Sequence, residues 1–231
     1  MKKDSGDSPN TSRNTSDPIR HYTVRELQEI ADRTLTSAFP DGLSIPVEVE
    51  SIAFHLGLDI NPIPGLRQAR NVLGAIWLDG EGRYWVVVDE HLMDQYEARY
   101  RFTVAEEVAH FLIHRPYIDQ ARDIHGAIAL QGTLTTAYRY FEANARRLAA
   151  ELLMPREPLK ADAGAAYAKV IDVVGYRNIE AVKKQVTDIL RRQYVVSEQA
   201  MQYQLASHCL RAYDAMEAAF DAHSTALWQT P

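Results

Sequence analysis

The sequence predicts an α+β chain, mainly helical, with a small antiparallel β-sheet. Three observations carry this reading. Apolar residues recur at three- and four-residue spacing along most of the chain. Helix-start signals stand in front of those stretches, as at Thr23 and Ser197. Two β-branched and aromatic runs, Val72–Leu78 and Arg83–Asp89, flank Asp79-Gly80-Glu81-Gly82, which is turn chemistry and reads as a hairpin.

Residues 1–20 are nearly all Ser, Thr, Asn, Asp, Gly, Pro and charge, with too little apolar surface to offset their ordering entropy, so a disordered tail is expected. Thr23-x-x-Glu26 is a capping-box pattern that opens a helix to about Phe39, followed by a turn at Pro40-Asp41-Gly42. Pro46 suits a first helical position, and Val49, Ile52, Ala53 and Leu56 keep helical spacing until Gly57. Leu58–Pro62 reads as a short strand, and the hairpin follows. From Tyr96 the chain turns helical. Arg101–His114 form one helix, opened by Thr103 and stopped before Pro116, and residues 117–134 read as a loop. A second long helix spans about Thr136 to Pro155. Asn178–Tyr194 and Ser197–Leu210 form a helical pair with Ser197 as N-cap, and the residues from Ala222 are expected to fray.

Composition narrows the function classes. A hydrophobic share of 46% is enough for a real core in 231 residues. Lys+Arg 25 against Asp+Glu 31 gives a net charge of -6, which argues against a chain that coats nucleic acid or an anionic membrane. A single cysteine, Cys209, excludes an intramolecular disulfide and a Cys-based zinc finger. Apolar runs stay below the roughly 18–20 residues that span a bilayer, and the polar opening residues lack a secretory pattern, so a cytoplasmic protein is expected.

The chemistry concentrates on one helix. Residues four apart lie one above the other, so ligands at i and i+4 share one ion, and a carboxylate at i+1 falls beside it as general base for a metal-bound water. Ala105-Glu106-Glu107-Val108-Ala109-His110 has this spacing, with Glu at the first ligand position. Glu142 on the second long helix supplies a third ligand, and Ala145 and Ala149 on its face let the helices approach. Glu151 should point to roughly the opposite side. The candidate site is thus Glu106, His110 and Glu142 around one divalent metal, with Glu107 as base. Raw affinity favours Zn, and the two carboxylates suit Mn or Fe. Thr103 and Glu106 also form T-x-x-E, so capping of the Thr103 amide is the competing use of Glu106. His114 is expected to be buried beside the ligands, because a site shifted to His110 and His114 would put Phe111 where the base belongs.

At these residues the chain resembles the ImmA/IrrE metallopeptidases. Arg101-Phe102-Thr103-Val104-Ala105-Glu106-Glu107-Val108-Ala109-His110-Phe111-Leu112-Ile113-His114 is similar to the family's "RFT-x-A-HE-x-x-H-x-x-x-H" core. Glu142-Ala143-Asn144 and Ala149-Ala150-Glu151-Leu152-Leu153-Met154-Pro155 resemble its second block, and Pro46–Leu58 its entry block. The resemblance covers roughly residues 22–155 in order, and more loosely to about 210. It implies a gluzincin-like, zincin-type domain, placed at residues 21–155, and the expected organisation adds a helical extension at 156–221 packed on it and a frayed end at 222–231. It implies Glu106, His110 and Glu142 as ligands and Glu107 as the catalytic residue. The implied substrate is a protein, a helix–turn–helix repressor, as family members cleave. The departure is Glu106, where the family carries His.

Two other classes stay open. A catalytically degenerate relative would act only by binding a partner protein. A DNA-binding regulator would use the 178–210 pair, where Lys183, Lys184, Arg191 and Arg192 are basic and Gln199, Gln202 and Gln204 could reach bases. Net acidity weighs against direct nucleic-acid binding.

Overall fold

The computed structural model describes residues 20–133, 138–174 and 178–228. The tail expected at 1–20 lies outside them except for Arg20.

Helix α1 (Val24–Ala38) opens with the capping box read from the sequence: Glu26 N donates to Thr23 Oγ1 at 3.2 Å, and Thr23 N donates to the Glu26 carboxylate at 2.8 Å. Helix α2 (Val49–His55) starts later than expected. Its N-cap is Glu48, whose extended backbone keeps Pro46 out of the first turn. Gly57, at φ +73°, closes it with a hydrogen bond from its N–H to the Phe54 carbonyl.

Strands β1 (Leu58–Ile63), β2 (Gly74–Leu78) and β3 (Tyr84–Asp89) form one sheet in the order β1-β3-β2. The hairpin is antiparallel, with Trp77 opposite Trp85. β1 pairs with β3 in parallel, from Leu58 opposite Tyr84 to Ile63 opposite Asp89. The sheet is therefore mixed rather than wholly antiparallel. The chain reverses through α3 (Leu66–Arg70) into β2 at the far edge and reverses again at the hairpin into β3, so β1 and β3 run the same way. Central β3 reads Val86-Val87-Val88, all without exposure, as a strand covered on both faces requires. The Asp79 carboxylate holds the hairpin turn by accepting from Glu81 N, Arg83 N and Trp85 Nε1 at 2.8, 2.9 and 2.8 Å.

After α4 (Glu90–Gln95), helix α5 (Glu97–Ile113) begins well before Thr103. Glu97-Ala98-Arg99 are helix-permissive, and the N–H groups of Arg99 and Tyr100 bond the Tyr96 carbonyl, so Thr103 sits inside the helix rather than at its cap. The expected loop at 117–134 is partly helical: α6 (Arg115–Ile118) and α7 (Ile124–Thr133). Asp123 starts α7 by accepting from Gly126 N at 2.8 Å, and the Leu78 N–H bonds the Ala121 carbonyl, tying this segment to β2. The rest of the chain is α8 (Tyr138–Leu153), α9 (Arg156–Val174), α10 (Ile179–Gln193), α11 (Glu198–Leu205) and α12 (Ala212–Trp228). Asn178 and Ser197 cap α10 and α11 with their side chains. α11 stops at Leu205 instead of Leu210, with Ala206 as C-cap. The backbone stays helical through Trp228, into the stretch expected to fray, and 229–231 lie outside the described residues.

One hydrophobic core runs through these elements. Leu27 of α1, Ile52 of α2, Val86 of β3, Val104 and Val108 of α5, Leu148 of α8, Leu159 of α9 and Leu190 of α10 are all without exposure within one cluster. α5 is its axis, packed against α2, β2, β3 and α8. Among the described residues no helix is long and apolar enough to cross a membrane.

Candidate metal centre

The site lies on the seam between α5 and α8. Ala105 and Ala109 of α5 and Ala145 and Ala149 of α8 are fully buried, and side chains this small let two helix backbones approach closely. The approach brings His110 Nε2 to 3.7 Å from Glu142 Oε1. The His110 ring is held from behind. Its Nδ1 lies 2.9 Å from Nδ1 of His114, one turn on, and both rings lie against Phe141. Phe141 stacks on His114 at 4.0 Å between centroids and 16° between planes, and meets His110 at 4.4 Å. His114 is 2% exposed, and its Nε2 has no hydrogen-bond partner among the described residues.

Glu106 reaches the same seam and meets a cation. Arg146, one turn beyond Glu142, donates from Nε to Glu106 Oε1 at 3.1 Å and from Nη2 to Glu142 Oε2 at 3.5 Å. This removes the capping use of Glu106, since Thr103 lies inside α5 and the Glu106 carboxylate is bound elsewhere.

Glu107 points to the sheet side and is 7% exposed. Gly74 at the start of β2 faces it. A Cβ on Gly74 would lie 2.6 Å from Thr103 Cγ2, 3.0 Å from Glu107 Oε1 and 3.2 Å from the Val87 carbonyl oxygen, so β2 crosses this part of α5 only because residue 74 has no side chain.

The electrostatics follow from burial. Desolvation pushes the Glu107 carboxyl well above the usual range, with Glu106 and Glu142 adding to the push. Burial also raises Glu106, and Glu142 adds to this while Arg146 opposes both. Burial first, with the nearby His114 and Arg146 adding to it, holds His110 well below the ordinary histidine value, and burial alone takes His114 down to about 3. Both imidazoles are therefore neutral, the form in which a ring nitrogen offers a lone pair to a metal.

Of the residues singled out in the sequence, His110 and Glu142 face each other across the seam, and Glu106 is joined to Glu142 through Arg146. Glu107 adjoins them from the sheet side, and His114 stands behind His110. Glu151 lies away from the seam, accepting from Gln204 Nε2 at 3.1 Å and Gln28 Nε2 at 3.5 Å. Among the described residues no three His, Cys, Asp or Glu side chains come together as a metal-binding group. The donors nevertheless fit a divalent ion in kind: two carboxylates and one imidazole, with the imidazole nitrogen directed at one carboxylate oxygen. Two of the three are engaged by Arg146. Sequence reasoning missed Arg146, Phe141 and Gly74. The signal for Arg146 was present in its i+4 spacing from Glu142, which places a base over an acid on one helix face.

The family model of the IrrE N-terminal-like domain (Peptidase_M78) matches residues 76–206, more than half of the chain and the whole of the α5–α8 seam. No curated protein matches the chain.

Proposed function

The chain belongs to the IrrE N-terminal-like domain family of metallopeptidases, and from that premise we propose that it is a metal-dependent endopeptidase acting on a protein substrate, a helix–turn–helix repressor. Glu106, His110 and Glu142 would hold one divalent ion, Zn first and Mn or Fe as the harder alternatives, with Glu107 as general base. The observation that carries this reading is His110 Nε2 facing Glu142 Oε1 at 3.7 Å across the seam, with Glu107 buried beside it. When bound, the ion supplies a Lewis acid that polarises the scissile carbonyl and acidifies water.

The chain's own residues do the rest. His110 Nδ1 lies 2.9 Å from His114 Nδ1, an arrangement in which a proton on His110 Nδ1 leaves its Nε2 lone pair free for the ion, and Phe141 lies against both rings. Glu107 takes a proton from the attacking water onto its carboxylate. Its enclosure by Gly74 and Thr103 keeps bulk water from removing that proton before it reaches the leaving amine.

The bridge from Arg146 to Glu106 and Glu142 favours a second reading, in which the protein binds a partner without metal and without hydrolysis. One experiment separates the two. The protein is supplied with Zn²⁺ or Mn²⁺ and incubated with casein and a panel of purified helix–turn–helix repressors, alongside Glu107→Gln and His110→Ala. Cleavage by the wild type, no cleavage by Glu107→Gln with its metal retained, and metal loss in His110→Ala are the expected results. Equal cleavage by wild type and Glu107→Gln would remove Glu107 from the mechanism. No metal uptake by the wild type would leave partner binding as the function.

A further inference from the structure

Arg146 lies against the same two carboxylates that a divalent ion needs. Its Nε is 3.1 Å from Glu106 Oε1 and its Nη2 is 3.5 Å from Glu142 Oε2, while the other oxygen of Glu142 faces His110. A guanidinium is a permanent positive charge with a planar fork suited to carboxylates, so it offsets the repulsion between two acids on one seam without an ion. The exposures divide the three groups. The Arg146 side chain is 64% exposed, against 23% for Glu106 and 17% for Glu142. The acids are held at the seam, and the base reaches in from water, to which it can return without unpacking the core.

We propose that Arg146 is a tethered cation that stands in for the ion at Glu106 and Glu142, so that a divalent metal enters only by displacing its guanidinium. This rests on the reading of Glu106, His110 and Glu142 as the ligands. It also accounts for the acid at position 106. A neutral imidazole there would leave Arg146 only Glu142, on its own helix, whereas a carboxylate makes one bridge spanning α5 and α8. Metal occupancy then depends on a competition inside the protein, and the protein without metal keeps its seam closed.

The test is Zn²⁺ affinity, measured by competition with a chromophoric chelator, together with thermal melts with and without Zn²⁺. The proteins compared are the wild type, Arg146→Ala, Arg146→Gln and His110→Ala. Both Arg146 variants are expected to bind Zn²⁺ about tenfold tighter than wild type, the scale of two partly exposed ion pairs released together. Added Zn²⁺ should also raise their Tm further than that of wild type. His110→Ala should bind Zn²⁺ more weakly than wild type. Arg146→Gln keeps a polar, hydrogen-bonding side chain, shorter than arginine, without its charge, and the metal-free melts show that each variant is folded. Unchanged or weaker affinity in both Arg146 variants, with His110→Ala still losing Zn²⁺, would overturn the role of Arg146 and leave the ligand assignment standing. Zn²⁺ binding unaffected in His110→Ala would overturn the ligand assignment and the proposal with it.

Discussion

Gly74→Ala probes the point where the sheet touches the helix that carries the candidate site. The new Cβ would lie 2.6 Å from Thr103 Cγ2, so β2 and α5 must separate by about 0.8 Å to reach an ordinary contact of 3.4 Å. Neither neighbour yields easily. The Thr103 methyl is one bond from a helix Cβ and fixed by β-branching, and the Val87 carbonyl oxygen at 3.2 Å is backbone of the central strand. Overpacking of this kind costs about 1–3 kcal/mol. The lower entropy of alanine in the unfolded chain offsets about 0.4–1 kcal/mol of that. The net expectation is a loss of about 1–2 kcal/mol, or about 3–6 °C in Tm for a chain of this length. Urea unfolding followed by circular dichroism measures it. Thr103→Ser removes Cγ2, so the double variant should recover about 1 kcal/mol relative to the sum of the single changes. Gly74→Ala within about 0.3 kcal/mol of wild type, or a double variant with no recovery, would refute the close approach.

Asp79→Ala should loosen the hairpin in a pH-dependent way. The hydrogen bond from Trp85 Nε1, then that from Arg83 N, hold the Asp79 carboxyl down to about 2 from its ordinary 3.8. A depressed folded value means that its contribution is present above 3.8 and is lost as pH falls toward about 2, so the Tm gap between wild type and variant should close across that window. A gap that does not change with pH would contradict this. Glu151→Ala removes the buried acceptor of Gln204 and Gln28 and should cost about 1–3 kcal/mol in urea unfolding. Burial is the main influence holding the Glu151 carboxyl above its ordinary 4.5, so wild type loses stability as pH rises through the raised value. Glu151→Gln, which does not titrate, should therefore gain on wild type with rising pH, and a difference that stays flat would count against a raised carboxyl.

What was legible in the sequence was local. The Thr23–Glu26 capping box, the Asp79–Gly82 turn and the Ser197 cap depend on neighbours a few residues away, and each appears in the structure. The i and i+4 spacing put Glu106 and His110 on one stripe of α5 for the same reason, and the small face around Ala145 and Ala149 marked where α8 would dock. What was missed depends on distant geometry. The direction of β1 is set by the reversal through α3, which no strand pattern encodes. The Thr103–Glu106 pattern imitates a cap, and only the Tyr96 carbonyl shows that the helix begins earlier. Arg146 needs the interhelical distance before its reach to Glu106 can be seen, and Gly74 needs the height of β2 over α5.

The ties from α1 and the residues before it to α5 and α8 set the timing of folding during synthesis. Gln28 meets Glu151 across 123 residues, Asn144 donates to the Arg20 carbonyl across 124, and the Tyr22 hydroxyl reaches the Ile113 carbonyl across 91. At translation rates of about 5–20 residues per second, about 6–25 s separate the emergence of the first helix from that of its partner. Over that interval Leu27, Ala31 and Leu35, fully packed in the finished protein, have no α8 to cover them. A lone helix of this length is marginal in water. This helix thus emerges as an amphipathic stretch whose docking is a late, long-loop event in the folding of the chain.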